Sequence, residues 1–152
     1  MITLREITEN NLEQVLSLDV FEHQNDYVST IAYSLAQAWL YHDTAFPFAI
    51  YSDDLLIGFV MLGYYKVKKQ YTLWKFLIDK RYQNKGYGKQ ALKLALKYLV
   101  DKFNVNEIYT GVAFGNTIAQ HLYSSFGFVK TGEFDDYQLE MRLNITDKTK
   151  YL

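Results

Sequence analysis

The sequence contains no cysteine and only one proline, Pro47. The missing cysteines exclude disulfides, thiolate metal sites and a cysteine nucleophile together, and they fit a reducing compartment. Long apolar runs are absent as well, and the first residues, Met1-Ile2-Thr3-Leu4-Arg5-Glu6, carry no basic leader segment. Neither a signal peptide nor a membrane span is expected, which makes the cytoplasm the expected location. No Gly/Ser linker, low-complexity tract or repeat divides the chain. A length of 152 residues is expected to form one domain, 1–152, with a core that needs no cross-links. The three histidines, His23, His42 and His121, lack metal-ligand spacing, so no metal is expected, and no Ser-His-Asp constellation can be assembled.

Net charge is also scarce, at −1, but it is unevenly spread. Residues 1–60 carry a net −8, residues 61–103 a net +9, and residues 104–152 a net −2. Such a division suggests an anion site in the middle of the chain and a cation-friendly surface in its first third, or else two solvated faces.

Periodicity gives a coarse map. Ile2–Ile7 reads as a strand. Asn10 with Glu13 resembles a capping box that opens a helix running to about Leu18. A second helix is predicted over 30–42, with Ile31, Leu35, Ala38 and Trp39 on one face. Phe46–Tyr51 and Leu55–Tyr65 flank Ser52-Asp53-Asp54 as a hairpin, and Tyr71–Ile78 is another strand. From Tyr87 to Phe103 the residues Leu92, Ala95, Leu96, Leu99 and Phe103 follow helical spacing. Glu107–Val112 is a strand. Asn116 can cap a helix from Thr117 to about Phe126, stopped by Gly127. Phe128–Glu133 and Tyr137–Leu143 complete the map as strands. Hairpins mixed with crossover helices imply an α/β sheet with parallel and antiparallel parts.

The most informative segment is Gln83-Asn84-Lys85-Gly86-Tyr87-Gly88-Lys89, between a strand and a long amphipathic helix. Glycines let main-chain N–H groups approach a ligand closely. At a helix N-terminus those donors and the dipole favour an anion, and two lysines add charge. The segment is neither a Walker loop, which needs Gly-Lys-Ser/Thr, nor a dinucleotide fingerprint, which needs a third glycine. By itself it reads either as a phosphate cradle or as a plain strand-to-helix turn.

Two motifs together carry a resemblance. Gln83-x-x-Gly86-x-Gly88 after a strand resembles the acyl-CoA signature of the GNAT superfamily of N-acetyltransferases. The run Asn116-Thr117-Ile118-Ala119-Gln120-His121-Leu122-Tyr123-Ser124-Ser125-Phe126-Gly127-Phe128 resembles that superfamily's second motif. The resemblance spans nearly the whole chain. It implies a GNAT-type mixed, splayed central sheet of about seven strands with four helices, and an acetyl-CoA-dependent N-acyltransferase.

Roles carry over by motif position. The backbone of Phe76, Leu77 and Ile78 would pair with the pantetheine arm as an added strand. Gln83, Asn84, Lys85, Gly86, Tyr87, Gly88 and Lys89 would surround the pyrophosphate. Asn116 would point toward the pantetheine or simply cap its helix. Tyr123 is the candidate catalytic residue: a phenol with a pKa near 10 stays protonated at neutral pH and can give a proton to the departing CoA thiolate. Its competing role is an aromatic core position beside Ala119, Leu122 and Phe126. Many family members carry a glutamate on the strand leading to the acyl-CoA site. Here Tyr71-Thr72-Leu73-Trp74-Lys75-Phe76 has no carboxylate, so the base that frees the amine is unassigned; a water relay or an acid from the N-terminal third would serve.

A narrower resemblance, to the bacterial spermine/spermidine (diamine) acetyltransferase branch, lies in Val20–Val28, in Tyr33-Ser34-Leu35-Ala36-Gln37-Ala38 and in Phe76–Gln83. It implies a polyamine acceptor, a cation that needs carboxylates and aromatic walls. Glu22, Asp26, Tyr27 and Trp39 in the acidic first third are the candidates for that surface. Acetylation of a protein N-terminus, an amino-acid derivative or an aminoglycoside is the alternative, and a non-catalytic acyl-CoA sensor is another. Lys66, Lys68, Lys69, Lys75, Lys80 and Lys85 raise nucleic-acid binding, but near-neutral net charge and the lack of a binding motif argue against it. A homodimer is expected by analogy, with Tyr137–Leu143 as its candidate interface strand.

Overall fold

The computed structural model describes residues 1–22, 24 and 30–151. Its elements are β1 (Ile2–Arg5), α1 (Leu12–Leu16), α2 (Ile31–Leu40), β2 (Ala45–Ser52), β3 (Leu55–Tyr65), β4 (Gln70–Ile78), α3 (Tyr87–Phe103), β5 (Glu107–Ala113), α4 (Thr117–Ser125), β6 (Val129–Phe134) and β7 (Gln138–Asn144). Order and type agree with the map read from periodicity. The seven strands form one sheet in the order β1-β2-β3-β4-β5-β7-β6. Only β4 and β5 pair in parallel; every other neighbour is antiparallel. Among the described residues no helix is long and apolar enough to cross a membrane.

Helices cover both faces. On one, Leu92, Leu96 and Leu99 of α3 and Tyr123 of α4 pack on Val60, Leu62, Leu73 and Ile108. On the other, Val15 of α1 and Ile31 and Ala38 of α2 pack on Ala49, Phe59 and Met61. Burying each such aliphatic side chain stabilises by roughly 1.5–3 kcal/mol.

Local rules place the helix ends, with two corrections. The N-cap of α1 is Asn11 rather than Asn10, and its side chain turns away from the helix. Its Oδ1 accepts from Thr8 N at 2.9 Å, and its Nδ2 donates to Glu6 O and to Tyr51 Oη. The helix stops at Leu16, so Leu18 lies beyond it. In α2, Thr30 Oγ1 accepts from Tyr33 N, and Ile31, Ser34 and Ala38 turn inward. Trp39 does not share that face; it is 82% exposed. A further correction concerns Tyr137–Leu143. The strand β7 is flanked by β5 and β6, so both of its edges are paired, and the open edge at that end of the sheet belongs to β6.

Candidate active site

The parallel pair β4/β5 is joined at only two positions, Thr72 with Tyr109 and Leu73 with Thr110. Directly beyond them β4 holds an extra residue. Met61 faces Lys75 and Leu62 faces Leu73, which leaves Trp74 as a bulge. A bulge bends its strand and ends pairing. The Thr110 hydroxyl, buried between the sheet and α4, donates to Leu73 O at 2.9 Å and pins the last paired position. From Trp74 onward β4 keeps β3 on one side and leaves β5 on the other.

A cavity of about 260 Å³ fills the split. Trp74–Ile78 form one wall and Thr110–Ala113 the other, with Asn116, Ala119, Leu122 and Tyr123 from α4 and with Ile31, Ser34 and Phe59 from the opposite face. The side chains of Phe76 and Leu77 are partly buried and that of Ile78 is buried, so they serve the core while the strand edge faces the split. An extended, amide-bearing arm fits this opening, because it can satisfy strand-edge donors and acceptors that would otherwise be left over.

The split leads to the glycine loop. Asn84 and Gly86 adopt positive φ, 62° and 83°, with Lys85 between them. Left-handed residues interleaved with ordinary ones turn successive N–H groups toward one concave side. Gly86 is the N-cap of α3, whose first-turn N–H groups have no intrahelical partner. Gly88 is different. Its φ is not positive, and an added Cβ would find only Ile78 Cγ1 at 3.9 Å. The fold does not require glycine there; the missing Cβ leaves the helix end open to close approach by a ligand. Lys85 and Lys89 are exposed beside this end, and no acid lies in the first turn. The donor set therefore suits a pyrophosphate. Gln83 is the exception: its side chain points away from such a ligand. Nε2 donates to Ile78 O at 2.8 Å and to Gln24 Oε1 at 3.0 Å, and Oε1 accepts from Gln24 Nε2 at 3.1 Å.

Tyr123 lies on α4 against Thr110 and is 7% exposed. Burial pushes its phenol up to about 12, and a hydrogen bond with Thr110 pulls more weakly the other way. The ring packs 5.7 Å from Phe128, and the Tyr123 carbonyl accepts from both Phe126 N and Phe128 N, so the end of α4 fixes its position. It lines the cavity as a proton donor that stays protonated far above neutral pH. Asn116 Oδ1 caps α4 by accepting from Ala119 N at 3.3 Å; the cap does not use the amide NH₂ of this cavity-lining residue.

The acceptor side departs further from expectation. Asp26 and Tyr27 lie outside the described residues, and Glu22 is exposed. Trp39 is not in the cavity wall; Trp74 and Lys75 are. The Lys75 ammonium sits 5.9 Å from the Tyr33 ring, and burial lowers its pKa. Among the described lining residues there is no carboxylate. The acids of the first third are dispersed instead. Asp53 binds the N-terminus, Asp54 binds Arg5, and Asp43 lies beside His42. The lysines are divided too: Lys66, Lys68 and Lys69 lie in the β3–β4 turn, while Lys80, Lys85 and Lys89 flank the loop. His121 is exposed, and His42 Nδ1 lies 3.2 Å from Trp39 O. Among the described residues no cluster of His, Asp or Glu is arranged to hold a metal.

Three contributors, Thr110, Gln24 and Asp79, have no individual role in the sequence reading, and Lys75 figures there only among the lysines that raise nucleic-acid binding. Thr110 had a visible signal, a hydroxyl at an inward position between Ile108 and Val112. Asp79 is 1% exposed and accepts from Arg81 N, Arg81 Nε and Asp19 N. Burial opposes its charge, but the Arg81 guanidinium and these N–H donors outweigh that and hold its carboxyl below the usual range.

Comparison with known proteins agrees with this geometry. A family model described as the acetyltransferase (GNAT) family matches residues 10–128. The spermine/spermidine N(1)-acetyltransferase of Bacillus subtilis (strain 168) is 33% identical over 140 residues, covering 88% of this chain and 91% of that protein. The spermidine N-acetyltransferase of Vibrio cholerae, solved in complex with CoA and spermine, superposes with a TM-score of 0.75 at 25% identity, covering 99% of this chain and 97% of that one.

Proposed function

The chain belongs to the acetyltransferase (GNAT) family, and from that premise we propose that it moves an acetyl group from acetyl-CoA directly to a primary amine of a polyamine such as spermidine or spermine. One observation carries the acceptor: identity of 33%, extending over 91% of a relative that is a spermine/spermidine acetyltransferase. The geometry supports the donor half of the reading. The pantetheine arm pairs along Phe76–Ile78 in the split, and the pyrophosphate rests on the N–H groups of the loop that ends in Gly88.

Direct transfer then needs three things. The acceptor nitrogen arrives neutral, although alkylamines titrate near 10. Its lone pair attacks the thioester carbonyl, held in line by the paired arm. The C–S bond breaks, the Tyr123 hydroxyl gives its proton to the departing sulfur, and the proton shed by the acylated nitrogen returns through water to the Tyr123 oxygen, leaving amide, CoA thiol and neutral phenol. Burial keeps Tyr123 protonated, so it meets the thiolate as a donor. Glu22 and Asp26 remain the candidates to supply charge for the amine's distal ammonium groups, and Tyr27 the candidate aromatic wall for its methylenes.

We extend the proposal to a homodimer through β6. This edge strand is exposed along nearly its whole length, and Phe134 and nearby Tyr137 are 76% and 79% exposed. Light scattering checks the mass in solution.

CoA release by the purified protein tests the acceptor. Spermidine and spermine are expected to have kcat/KM values at least tenfold above those of a peptide N-terminus or an aminoglycoside. Turnover of the peptide with none of the polyamines would overturn this reading.

A further inference from the structure

The amides of Gln24 and Gln83 are paired head to tail across the cavity mouth. Each donates to the other, at 3.1 and 3.0 Å, and Gln24 Oε1 also accepts from Phe21 N at 3.2 Å. Gln83 belongs to the donor loop, whereas Gln24 belongs to the connection between α1 and α2, far away in sequence. A second stitch lies nearby. Asp19 N donates to Asp79 Oδ2 at 3.0 Å, Lys80 N donates to Asp19 O at 2.8 Å, and the Lys80 ammonium lies 3.2 Å from Asp19 Oδ2. Between the stitches Val20 is buried and lines the cavity together with Gln24. The connection on the amine side is thus bonded at two points to the loop that would carry the pyrophosphate.

The two stitches differ in kind. The Asp19 stitch rests on main-chain groups and a buried carboxylate at the base of the loop. The glutamine pair rests on one side chain directly preceding the phosphate-facing N–H groups. Ordering Asn84–Gly88 around an anion therefore restrains Gln83, and Gln83 in turn restrains Gln24 and the Phe21 N–H. We propose that Gln24 is a positioning residue: through its pairing with Gln83, occupancy of the donor loop fixes the amine-side connection and strengthens amine binding. This rests on the acetyltransferase reading for the two sides of the cavity. By linkage the effect is reciprocal, so a bound amine strengthens CoA binding by the same factor.

Hydrogen exchange with and without CoA tests this in the absence of any amine. In the wild-type protein CoA is expected to slow the Phe21 and Gln24 amides about tenfold, alongside the amides of 84–88. In Gln24→Leu, CoA affinity and protection of 84–88 stay within about twofold of wild type, while the slowing at Phe21 and at position 24 disappears. The same variant raises the KM for spermidine about tenfold at saturating acetyl-CoA and, by the same reciprocity, the KM for acetyl-CoA about tenfold at saturating spermidine, while the Kd for CoA alone is spared. Unaltered exchange at Phe21 and Gln24 in wild type on adding CoA would overturn the proposal, as would a Gln24→Leu variant whose CoA affinity in the absence of amine falls as strongly as its amine affinity. Because the exchange arm contains no amine, connection protection without spermidine turnover would sink the polyamine reading and leave the coupling standing.

Discussion

The two sides of the split sheet are built from different materials. On the α3/α4 side the contacts offered to a ligand are mainly main-chain: strand-edge groups of Phe76–Ile78 and helix-end N–H groups after Gly86, with one phenol, Tyr123, in the cavity wall. On the α1/α2 side they are side chains gathered from separate elements, among them Ser34 of α2, Trp74 and Lys75 of β4, and Gln24 of the connection. Main-chain recognition needs only a strand that leaves its neighbour and a loop that tolerates positive φ. It can serve the invariant CoA whatever side chains surround it. Side-chain recognition can change one residue at a time, which is what a family with many acceptors needs.

Substitutions that act on one side and spare the other are the way to break this contrast. The largest effect is expected for Tyr123→Phe, which keeps the ring packed on Phe128 and removes only the proton donor. Loss of a general acid lowers kcat by about 10²–10³-fold, with the Kd for CoA within about threefold by calorimetry. The pH dependence follows from the same phenol. With its pKa near 12 it imposes no fall in kcat up to about pH 10, so the rate rises with pH as the acceptor amine loses its proton. A raised phenol also means that stability is full below the ordinary tyrosine pKa and is lost as pH climbs toward 12, a loss that Tyr123→Phe abolishes in alkaline melting curves.

Asp79→Asn comes next and tests the joint between the two sides. It weakens the hydrogen bonds from Asp19 N, Arg81 N and the Arg81 guanidinium at a site that is 1% exposed. A cost of about 1–3 kcal/mol is expected in urea unfolding. Because the native carboxyl titrates lower than usual, its stabilisation is present above the ordinary carboxylate pKa and is lost as pH falls through the native value. The difference between wild type and variant should therefore shrink in acid.

Gly88→Ala separates binding from folding on the donor side alone. The position is helical and has room for a methyl group. Stability should stay level or rise by up to about 1 kcal/mol, while CoA binds about tenfold more weakly, roughly 1.4 kcal/mol. Equal losses of both would mean that the glycine serves the fold after all. The smallest effect is expected far from either side. The Lys102 ammonium lies 5.3 Å from the rings of Phe46 and Tyr98 and 5.7 Å from that of Phe103. Lys102→Met should cost about 0.5–1 kcal/mol in thermal melts and leave kcat/KM for both substrates untouched.

This contrast also explains what could be read from sequence. Strand and helix order follow local periodicity and caps, so Tyr87–Phe103 and the Asn116 cap are found where spacing predicts them. The donor loop is legible because its chemistry lies within the consecutive residues Gln83–Lys89. The missed features are those that depend on pairing between distant elements. Trp39 sits one position past Ala38, at the margin of a helical face, and α2 meets the sheet through Ile31, Ser34 and Ala38 instead. Counting charge along the chain says nothing about where hairpin tips lie, and Asp53 and Asp54 end beside the N-terminus and Arg5. The place of β7 between β5 and β6 is set by a return of the chain that no local pattern encodes. Gln24 carries no local mark, because its partner is Gln83.

The most direct test of the donor side is a crystal structure with CoA. The account predicts the pyrophosphate on the N–H groups of 84–88, the pantetheine arm paired along Phe76–Ile78, and the sulfur within hydrogen-bond reach of Tyr123 Oη, about 3.5 Å. CoA bound outside the β4/β5 split, or its sulfur turned away from Tyr123, would contradict it.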